Sequence, residues 1–187
     1  MDAAALEGGF ADVPLEAARA FRQIMNVMAR PGEIAELAGA SPPEPLSPAA
    51  GALLLCLCDA DTGIYLAPGH DTPSVRQWIT FHTGAPLVNA AAAAQFAVGT
   101  WETLPRMQFS IGTPEYPDRS ATLIVETQKL AAEGHRLTGP GIKKVSALSL
   151  PEAGAFQQNA ALFPLGLDFF FTHGSRVAAL PRTAKVS

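Results

Sequence analysis

The sequence predicts an α/β protein in which helices flank a mixed β-sheet, and three observations support this fold class. Helical and extended patterns alternate along the chain, and short β-rich runs form a meander in its second half. Of the 187 residues, 48% are hydrophobic and only 16% are charged, a proportion typical of a folded globule with a large core. The length suits one domain over residues 1–187.

The first predicted helix lies near the start of the chain. Asp12 is placed to cap a helix over residues 14–29. The larger apolar residues of this helix recur at spacings of four and three, so they share one face. They are Phe21, Met25 and Met28.

Two further helices each start at a hydroxyl residue followed by proline. Ser47 precedes a helix over residues 48–58, and Thr72 precedes a helix that ends at Gly84, a residue suited to a left-handed cap. The apolar stripe of this last helix consists of Val75, Trp78, Ile79 and His82.

Extended runs make up most of the rest of the chain. Strands are predicted over residues 32–37, 63–67, 95–101, 121–130, 135–138, 142–150 and 166–173, and a further helix over 152–163. The three runs between residues 121 and 150 are expected to pair as an antiparallel patch. Residues 177–186 are expected to form an arm.

The segment LTGPGIKKV, residues 137–145, has the composition of a loop that cradles phosphate. Such loops need G-x-x-x-x-G-K-[ST], or G-x-G-x-x-G running into a helix, and both patterns fail because Lys144 stands in place of the third glycine. Gly139 and Gly141 instead supply the backbone angles of a turn. Lys143 and Lys144 are interpreted as solvated charges, at most one of which meets a given ligand.

Composition argues against several classes of function. The net charge is −4, from 13 Lys and Arg against 17 Asp and Glu, so no basic face for nucleic acid is expected. The longest strongly apolar run, residues 49–58, is shorter than a bilayer requires, and we expect a cytoplasmic protein without membrane contact. Cys56 and Cys58 are expected to be buried reduced thiols, and no spacing supports a metal or a cofactor.

The loop GTPEYPDRS, residues 112–120, offers polar groups for recognition because Tyr116, Asp118 and Arg119 lie close together in it. The alternative is a crossover stiffened by prolines, in which Asp118 caps a turn and Arg119 pairs with a neighbouring acid. His82 is a candidate general acid or base, or else a donor to a backbone carbonyl. The sequence contains no complete catalytic constellation, and no catalytic residue is assigned.

Six segments carry a family resemblance over nearly the whole chain. They are Gly9-Phe10 with the helix that bears Phe21-Arg22 and closes at Arg30-Pro31-Gly32, FHTGAP at 81–86, GTPEYPDRS at 112–120, GPGI at 139–142, FPLGLD at 163–168 and LPRT at 180–183. In this order they resemble the H subunit of the bacterial carbon–phosphorus lyase core complex, which degrades phosphonates.

The resemblance implies a fold related to pyridoxal-phosphate-dependent transferases but without the cofactor, and a homodimer that joins the G, I and J subunits. It also implies that, with the G, I and L subunits, the chain supports displacement of adenine from ATP by methylphosphonate, giving ribose 1-methylphosphonate 5-triphosphate. A pyridoxal enzyme needs a Schiff-base lysine and an acidic partner for the ring nitrogen. Nothing in the sequence marks Lys129, Lys143, Lys144 or Lys185 as that lysine.

Three hypotheses for function follow. In the first, the chain is a noncatalytic subunit whose apolar surface binds sister subunits. In the second, it binds a phosphorylated ligand or nucleotide through Arg22, His82, Arg119 and Lys143, which converge near a dimer seam. The third is a free-standing pyridoxal-dependent transferase.

Overall fold

The centre of the fold is a six-stranded sheet, seen in a computed structural model that describes residues 6–187. The helices are α1 (Val13–Ala29), α2 (Pro48–Leu57), α3 (Pro73–Thr83) and α4 (Gly154–Ala161). The strands are β1 (Ala35–Glu36), β2 (Ile64–Leu66), β3 (Phe96–Thr100), β4 (Thr122–Glu126), β5 (His135–Thr138), β6 (Ser146–Leu148), β7 (Asp168–His173), β8 (Arg176–Leu180) and β9 (Lys185–Val186). No helix in this part of the chain is long and apolar enough to cross a membrane.

The main sheet is mixed, which confirms the predicted fold class. Its strand order is β1-β8-β7-β4-β3-β2. Strands β2, β3, β4 and β7 run parallel, whereas β8 is antiparallel to β7 and β1 is antiparallel to β8. A second sheet of three antiparallel strands, in the order β6-β5-β9, packs beside it.

Alternating side chains of the main sheet build two separate cores, because successive strand residues point to opposite faces. The three phenylalanines of β7 illustrate this, since Phe170 belongs to one core and its two neighbours to the other. The first core lies under α1, α2 and α3 and includes Ile24, Leu53, Trp78, Val98 and Ile124. The second lies under α4 and the small sheet and includes Trp101, Leu123, Leu137, Phe156, Phe169 and Phe171.

The predicted helix starts are confirmed by their side-chain caps. Asp12 accepts a hydrogen bond from the amide of Leu15 at 3.3 Å, and Ser47 and Thr72 cap α2 and α3 in the same way. Gly84 ends α3 in the left-handed conformation at φ = 70°, as predicted. These signals depend on neighbouring residues only, so the sequence is sufficient to find them.

The buried face of α1 differs from the apolar face that the spacing singled out. Phe21 and Met25 are 47% and 53% exposed, whereas Ala20, Ile24 and Val27 are buried against α2 and β8. Both sets follow the three-and-four spacing of a helix face, and periodicity does not decide between two apolar stripes on one helix. Met28, the third residue of the predicted face, is half-buried and packs against the first core.

Two predictions of strand pairing are wrong. β4 pairs with β3 and β7 rather than with β5, and β5 pairs with β6 and β9. The segment 177–186 is not an arm, because β8 and β9 place it in both sheets. The middle residues of β4 are buried on both faces, as in a central parallel strand. The closeness of β4 and β5 in the sequence does not indicate that β4 lies at the centre of the main sheet.

The glycine turn between β5 and β6 confirms the predicted chain reversal. Leu137 pairs with Ser146, so the strands on either side run antiparallel. Gly141 has φ = 80°, and a β-carbon at this position would overlap the carbonyl oxygen of Ala29 at the end of α1. Lys143 and the residue after it are exposed in the connection rather than placed on a strand.

We expect Gly141→Ala to lower the free energy of unfolding by about 2–4 kcal/mol, because the substitution adds a clash with Ala29 to the cost of a left-handed alanine. The matched control is Gly69→Ala, since Gly69 has φ = 92° and open space around it. It should lose only about 1–2 kcal/mol. Urea unfolding measures both, and equal losses would contradict the packing role of Gly141.

Candidate functional site

Arg182, which follows β8, binds groups from three segments at the amino ends of β4 and β7. Its amide and its Nε donate to Asp168 Oδ1 at 2.8 and 3.2 Å, and its Nη2 lies 2.5 Å from Asp168 Oδ2. Its Nη1 donates to the carbonyl oxygens of Pro117 at 2.7 Å and Pro164 at 3.4 Å, and Nη2 also bonds the hydroxyl of Ser120. The two charged side chains are only 13% and 21% exposed.

This arrangement fixes two loops, residues 112–120 and 162–165, which we call the pinned loops. A mostly buried guanidinium must keep its hydrogen-bond partners, so moving either loop would leave N–H donors of Arg182 without acceptors. On their outer side the pinned loops expose aromatic groups, with Tyr116 50% and Phe163 60% exposed. The structure therefore presents apolar surface on a rigid support.

The predicted residues Tyr116, Asp118 and Arg119 lie together on the pinned loops. The guanidinium of Arg119 stacks on the ring of Tyr116 at 4.0 Å, rather than pairing with an acid. Asp118 is exposed, and the short 3-10 turn over Pro117–Arg119 has no side-chain cap. Arg182 therefore holds this loop in place through its bonds to Pro117 and Ser120. This role of Arg182 was not predicted from the sequence.

His82 fastens the start of the described chain to α3. Its Nε2 lies 3.2 Å from the carbonyl oxygen of Glu7, and the indole nitrogen of Trp78 donates to the same oxygen at 2.9 Å. Because a carbonyl oxygen only accepts, the Nε2 of His82 carries the proton. A β-carbon on Gly9 would approach the ring to 2.7 Å, so the segment packs tightly there. These contacts agree with the backbone-donor interpretation of His82.

Arg22 and Lys143 are exposed, on α1 and on the β5–β6 connection respectively. Within one chain, no hydrogen bond, ion pair or ring contact between described residues joins Arg22, His82, Arg119 and Lys143 to one another. The convergence expected at a dimer seam stays a prediction.

The carboxyl edge of the sheet is where open α/β folds usually bind ligands. Here Glu126, at the end of β4, accepts hydrogen bonds from the amide of Ser47 at 2.7 Å and from the hydroxyl of Thr172 at 2.8 Å. Ser47 is the N-cap of α2, a position at which a helix favours an anion. The chain's own carboxylate therefore takes the place at α2 that a ligand anion would otherwise fill.

Other reactive side chains are held in unreactive states. Burial raises the pKa of Cys56 to about 11 and that of Cys58 to about 12, so both free thiols are protonated near pH 7. Cys58 is buried, as predicted, whereas Cys56 is only half-buried. His70 is 5% exposed, and its Nδ1 has no hydrogen-bond partner among the described residues. Burial lowers the pKa of His70, although the nearby Glu126 carboxylate opposes this, and we expect the ring to be neutral at pH 7.

Sequence reasoning missed Asp168 and Arg182 as a pair, although both stand in segments that carry the family resemblance. One local signal was available, because Asp168 comes directly before three phenylalanines of a buried strand. A charge at such a position requires a partner. The partner is supplied by the segment after β8, and it could be identified only from the pairing of β7 with β8. That pairing was not predicted from the sequence.

Comparison with known proteins finds full-length similarity. Residues 8–187 match the family described as bacterial phosphonate metabolism protein (PhnH). The chain is 42% identical, over 96% of its length and 94% of the relative's, to the alpha-D-ribose 1-methylphosphonate 5-triphosphate synthase subunit PhnH of Rhizobium meliloti (strain 1021). It is 30% identical, over 97% and 96%, to a protein of Stutzerimonas stutzeri provisionally named as the C-P lyase subunit protein HtxG.

We expect Arg182→Met to lower the free energy of unfolding by about 3–5 kcal/mol, because it leaves the Asp168 carboxylate without its cation. Proteolysis within residues 112–120 should also become faster. The control is Arg76→Met, which breaks an ion pair whose side chains are 42% and 39% exposed and should cost about 1 kcal/mol or less. Equal losses for the two variants, with unchanged proteolysis, would refute the pinning role.

We expect His70→Gln to weaken the dependence of stability on pH. The unfolded chain protonates His70 near pH 6.5, whereas the folded chain does so only at lower pH, so acidification in this window favours unfolding. Between about pH 7.5 and 5.5, the variant should lose less unfolding free energy than wild type, by at most about 1.4 kcal/mol per pH unit. A wild-type slope in His70→Gln would contradict the neutral buried ring.

Proposed function

Because the chain belongs to the family of bacterial phosphonate metabolism proteins named PhnH, we propose that it is a noncatalytic subunit of alpha-D-ribose 1-methylphosphonate 5-triphosphate synthase, acting in phosphonate breakdown. The observation that carries this proposal is the 42% identity, over 96% of the chain, to a relative named as that subunit. The second relative, which is named as a C-P lyase subunit, also supports a role in phosphonate breakdown.

The noncatalytic role is supported by how the charged groups are used. Arg182 directs its donors at protein oxygens, and Glu126 accepts bonds from the chain itself on both of its oxygens. Groups that stabilise a transition state must instead be aimed at the position of the reacting atoms. The thiols of Cys56 and Cys58 are too weakly acidic to act as nucleophiles near pH 7.

The proposed fold is related to that of pyridoxal-dependent transferases, but we propose that this chain does not bind the cofactor. A Schiff-base lysine has to meet the cofactor in an enclosed site. All four lysines of the chain are exposed, and Lys129 pairs with Glu133 on the surface. The lysines therefore do not fit pyridoxal phosphate, and no step of the reaction is assigned to it in this chain.

In this proposal the protein is a single-domain cytoplasmic homodimer that joins the G, I and J subunits. With the G, I and L subunits it supports the displacement of adenine from ATP by methylphosphonate. The pinned loops are proposed as contact surface, because Tyr116, Asp118 and Arg119 are exposed there on a rigid base. Exposed aromatic and arginine side chains are the residue types that contribute most to binding at interfaces.

A second candidate is a phosphate-ligand or nucleotide site built from Arg22, His82, Arg119 and Lys143 of two chains. It is favoured by the free cations, since Arg22 and Lys143 form no ion pair with any described residue. Arginine forks suit phosphate oxygens. The proposed role of these residues then depends on the geometry of the dimer.

The test is to measure adenine release from ATP and methylphosphonate by the purified chain, with and without its sister subunits. We expect no release by the isolated chain, and release that depends on this chain once the G, I and L subunits are added. Calorimetry of the isolated chain with ATP should show no heat. Adenine release by the chain in isolation would overturn the noncatalytic role, and ATP binding that Arg22→Ala abolishes would favour the second candidate.

A further inference from the structure

Strand β2 forms one edge of the main sheet, and this edge is only partly covered. Ile64, the first residue of β2, forms a parallel bridge with Leu87. Its amide donates to the carbonyl oxygen of Pro86 at 2.9 Å, and its carbonyl oxygen accepts from the amide of Val88 at 2.9 Å. The chain then bends at residues 89 and 90, so the bridge does not continue along β2.

The backbone of Leu66 is left open by this bend. In a strand, successive residues direct their N–H and C=O groups to alternate sides. Ile64 bonds outward, and the amide of Ala67 bonds Val98 of β3 at 2.9 Å, so Leu66 directs both of its groups away from β3. No hydrogen bond between the residues that the structure describes uses either group. Unpaired groups on a sheet edge can pair with another molecule.

Leu66 lines a cavity of about 400 Å³ together with Tyr65, Leu87 and Val88. Leu66 and Leu87 pack with the first core, whereas Tyr65 and Val88 pack with the second, which lies on the other face of the sheet. Apolar side chains therefore flank the plane of the sheet on both sides, and the open N–H and C=O of Leu66 lie in that plane. We call this cavity the edge slot, and its shape suits a flat group.

The two charged side chains that line the edge slot neutralise each other. The Nε of Arg76 lies 2.5 Å from Oδ1 of Asp71, and the two side chains are 42% and 39% exposed. An anionic ligand would have to compete with Asp71 for this guanidinium, so it gains little net attraction. The edge slot therefore favours a neutral ligand.

We propose that the edge slot binds a neutral planar molecule with a hydrogen-bond donor and an acceptor side by side, as in a carboxamide or an amino-substituted heterocycle. The acceptor takes the N–H of Leu66 and the donor bonds its C=O, which completes the pairing that the sheet leaves open. Apolar walls with a few placed polar groups are typical of small-molecule pockets. This inference goes beyond the proposed function, because the site needs no sister subunit.

An extended peptide is the other kind of molecule that pairs with a sheet edge. The edge slot offers such a strand one residue only, because the bridge at Ile64 closes one end and Pro68, two residues after Leu66, has no N–H. A compact planar ligand makes the same two hydrogen bonds without the entropy cost of ordering a longer chain. The geometry thus favours the small molecule.

The test uses the isolated full-length chain and 2-aminopyrimidine, a neutral flat probe with an adjacent donor and acceptor. We expect an NMR titration to give a Kd of about 1 mM or lower. The amide-proton resonance of Leu66 should move downfield, because its N–H gains a hydrogen bond. The amide of Ala67 is the internal control: it is already bonded to Val98, so its resonance should move less.

Two matched probes each change one feature of 2-aminopyrimidine. Pyrimidine lacks the amino donor, and pyrimidine-2-carboxylate carries a negative charge in its place. We expect each to bind at least about tenfold more weakly, because the carbonyl of Leu66 is then left without a donor. Equal binding by pyrimidine, or a Leu66 resonance that does not respond to 2-aminopyrimidine, would overturn the proposal.

A pair of variants tests the donor itself. Leu66→Pro removes the N–H at a position where an edge strand tolerates proline, and Leu66→Ala also loses the leucine side chain but keeps the N–H. Leu66→Pro should bind 2-aminopyrimidine at least about tenfold more weakly than Leu66→Ala, and equal binding would contradict the site. A thermal scan checks that both variants fold, and the probe series decides the matter if the proline variant does not.

The remaining outcomes separate this inference from its alternatives. A capped, extended divaline peptide that binds at least tenfold more tightly than 2-aminopyrimidine, with the same shift of the Leu66 resonance, would assign the edge to a strand and overturn the small-molecule site. Failure of every probe to bind overturns the edge slot alone. The proposed function is tested separately, since adenine release by the assembled subunits does not depend on these probes.

Discussion

The fold depends on the guanidinium of Arg182 being satisfied at the amino edge of the sheet. The group is mostly buried, so its hydrogen bonds to Asp168, Pro117 and Pro164 cannot be exchanged for water without a large cost in free energy. These bonds join the start of β7 to the loop directly before it, residues 162–165, and to residues 112–120, which are distant in sequence. The same contacts explain why GTPEYPDRS, FPLGLD and LPRT occur together in one chain, since each supplies one part of a single cluster.

The two edges of the sheet have different uses. At the carboxyl edge, Glu126 bonds the amide of Ser47 at the start of α2 and the hydroxyl of Thr172, so the chain's own carboxylate occupies this helix start. At the amino edge, the Arg182 cluster supports loops whose aromatic side chains face outward. The fold therefore presents a rigid surface at its amino edge. That pattern is what a subunit needs if it contributes contacts rather than reacting groups.

The sequence was sufficient for features whose cause is local. The caps at Asp12, Ser47 and Thr72 and the turn at Gly141 each depend on a few neighbouring residues, and all were predicted. Strand order and the buried side of α1 were not, because they depend on which elements meet in space. The same limit applies to the site: Tyr116 and Arg119 are neighbours in sequence and were found together, whereas Asp168 and Arg182 meet only through the pairing of β7 and β8.

The cations of the chain serve two purposes, and net charge conceals the difference. Arg182 holds the fold from within, and its removal would leave Asp168 without a partner. Arg22 and Lys143 contribute little to stability, because they are exposed and form no ion pair with the described residues. A net charge of −4 describes the average over the whole surface, yet binding depends on the local field. An acidic protein can therefore carry local positive charge, and its composition argues against a nucleic-acid partner without arguing against contacts with acidic groups of another protein.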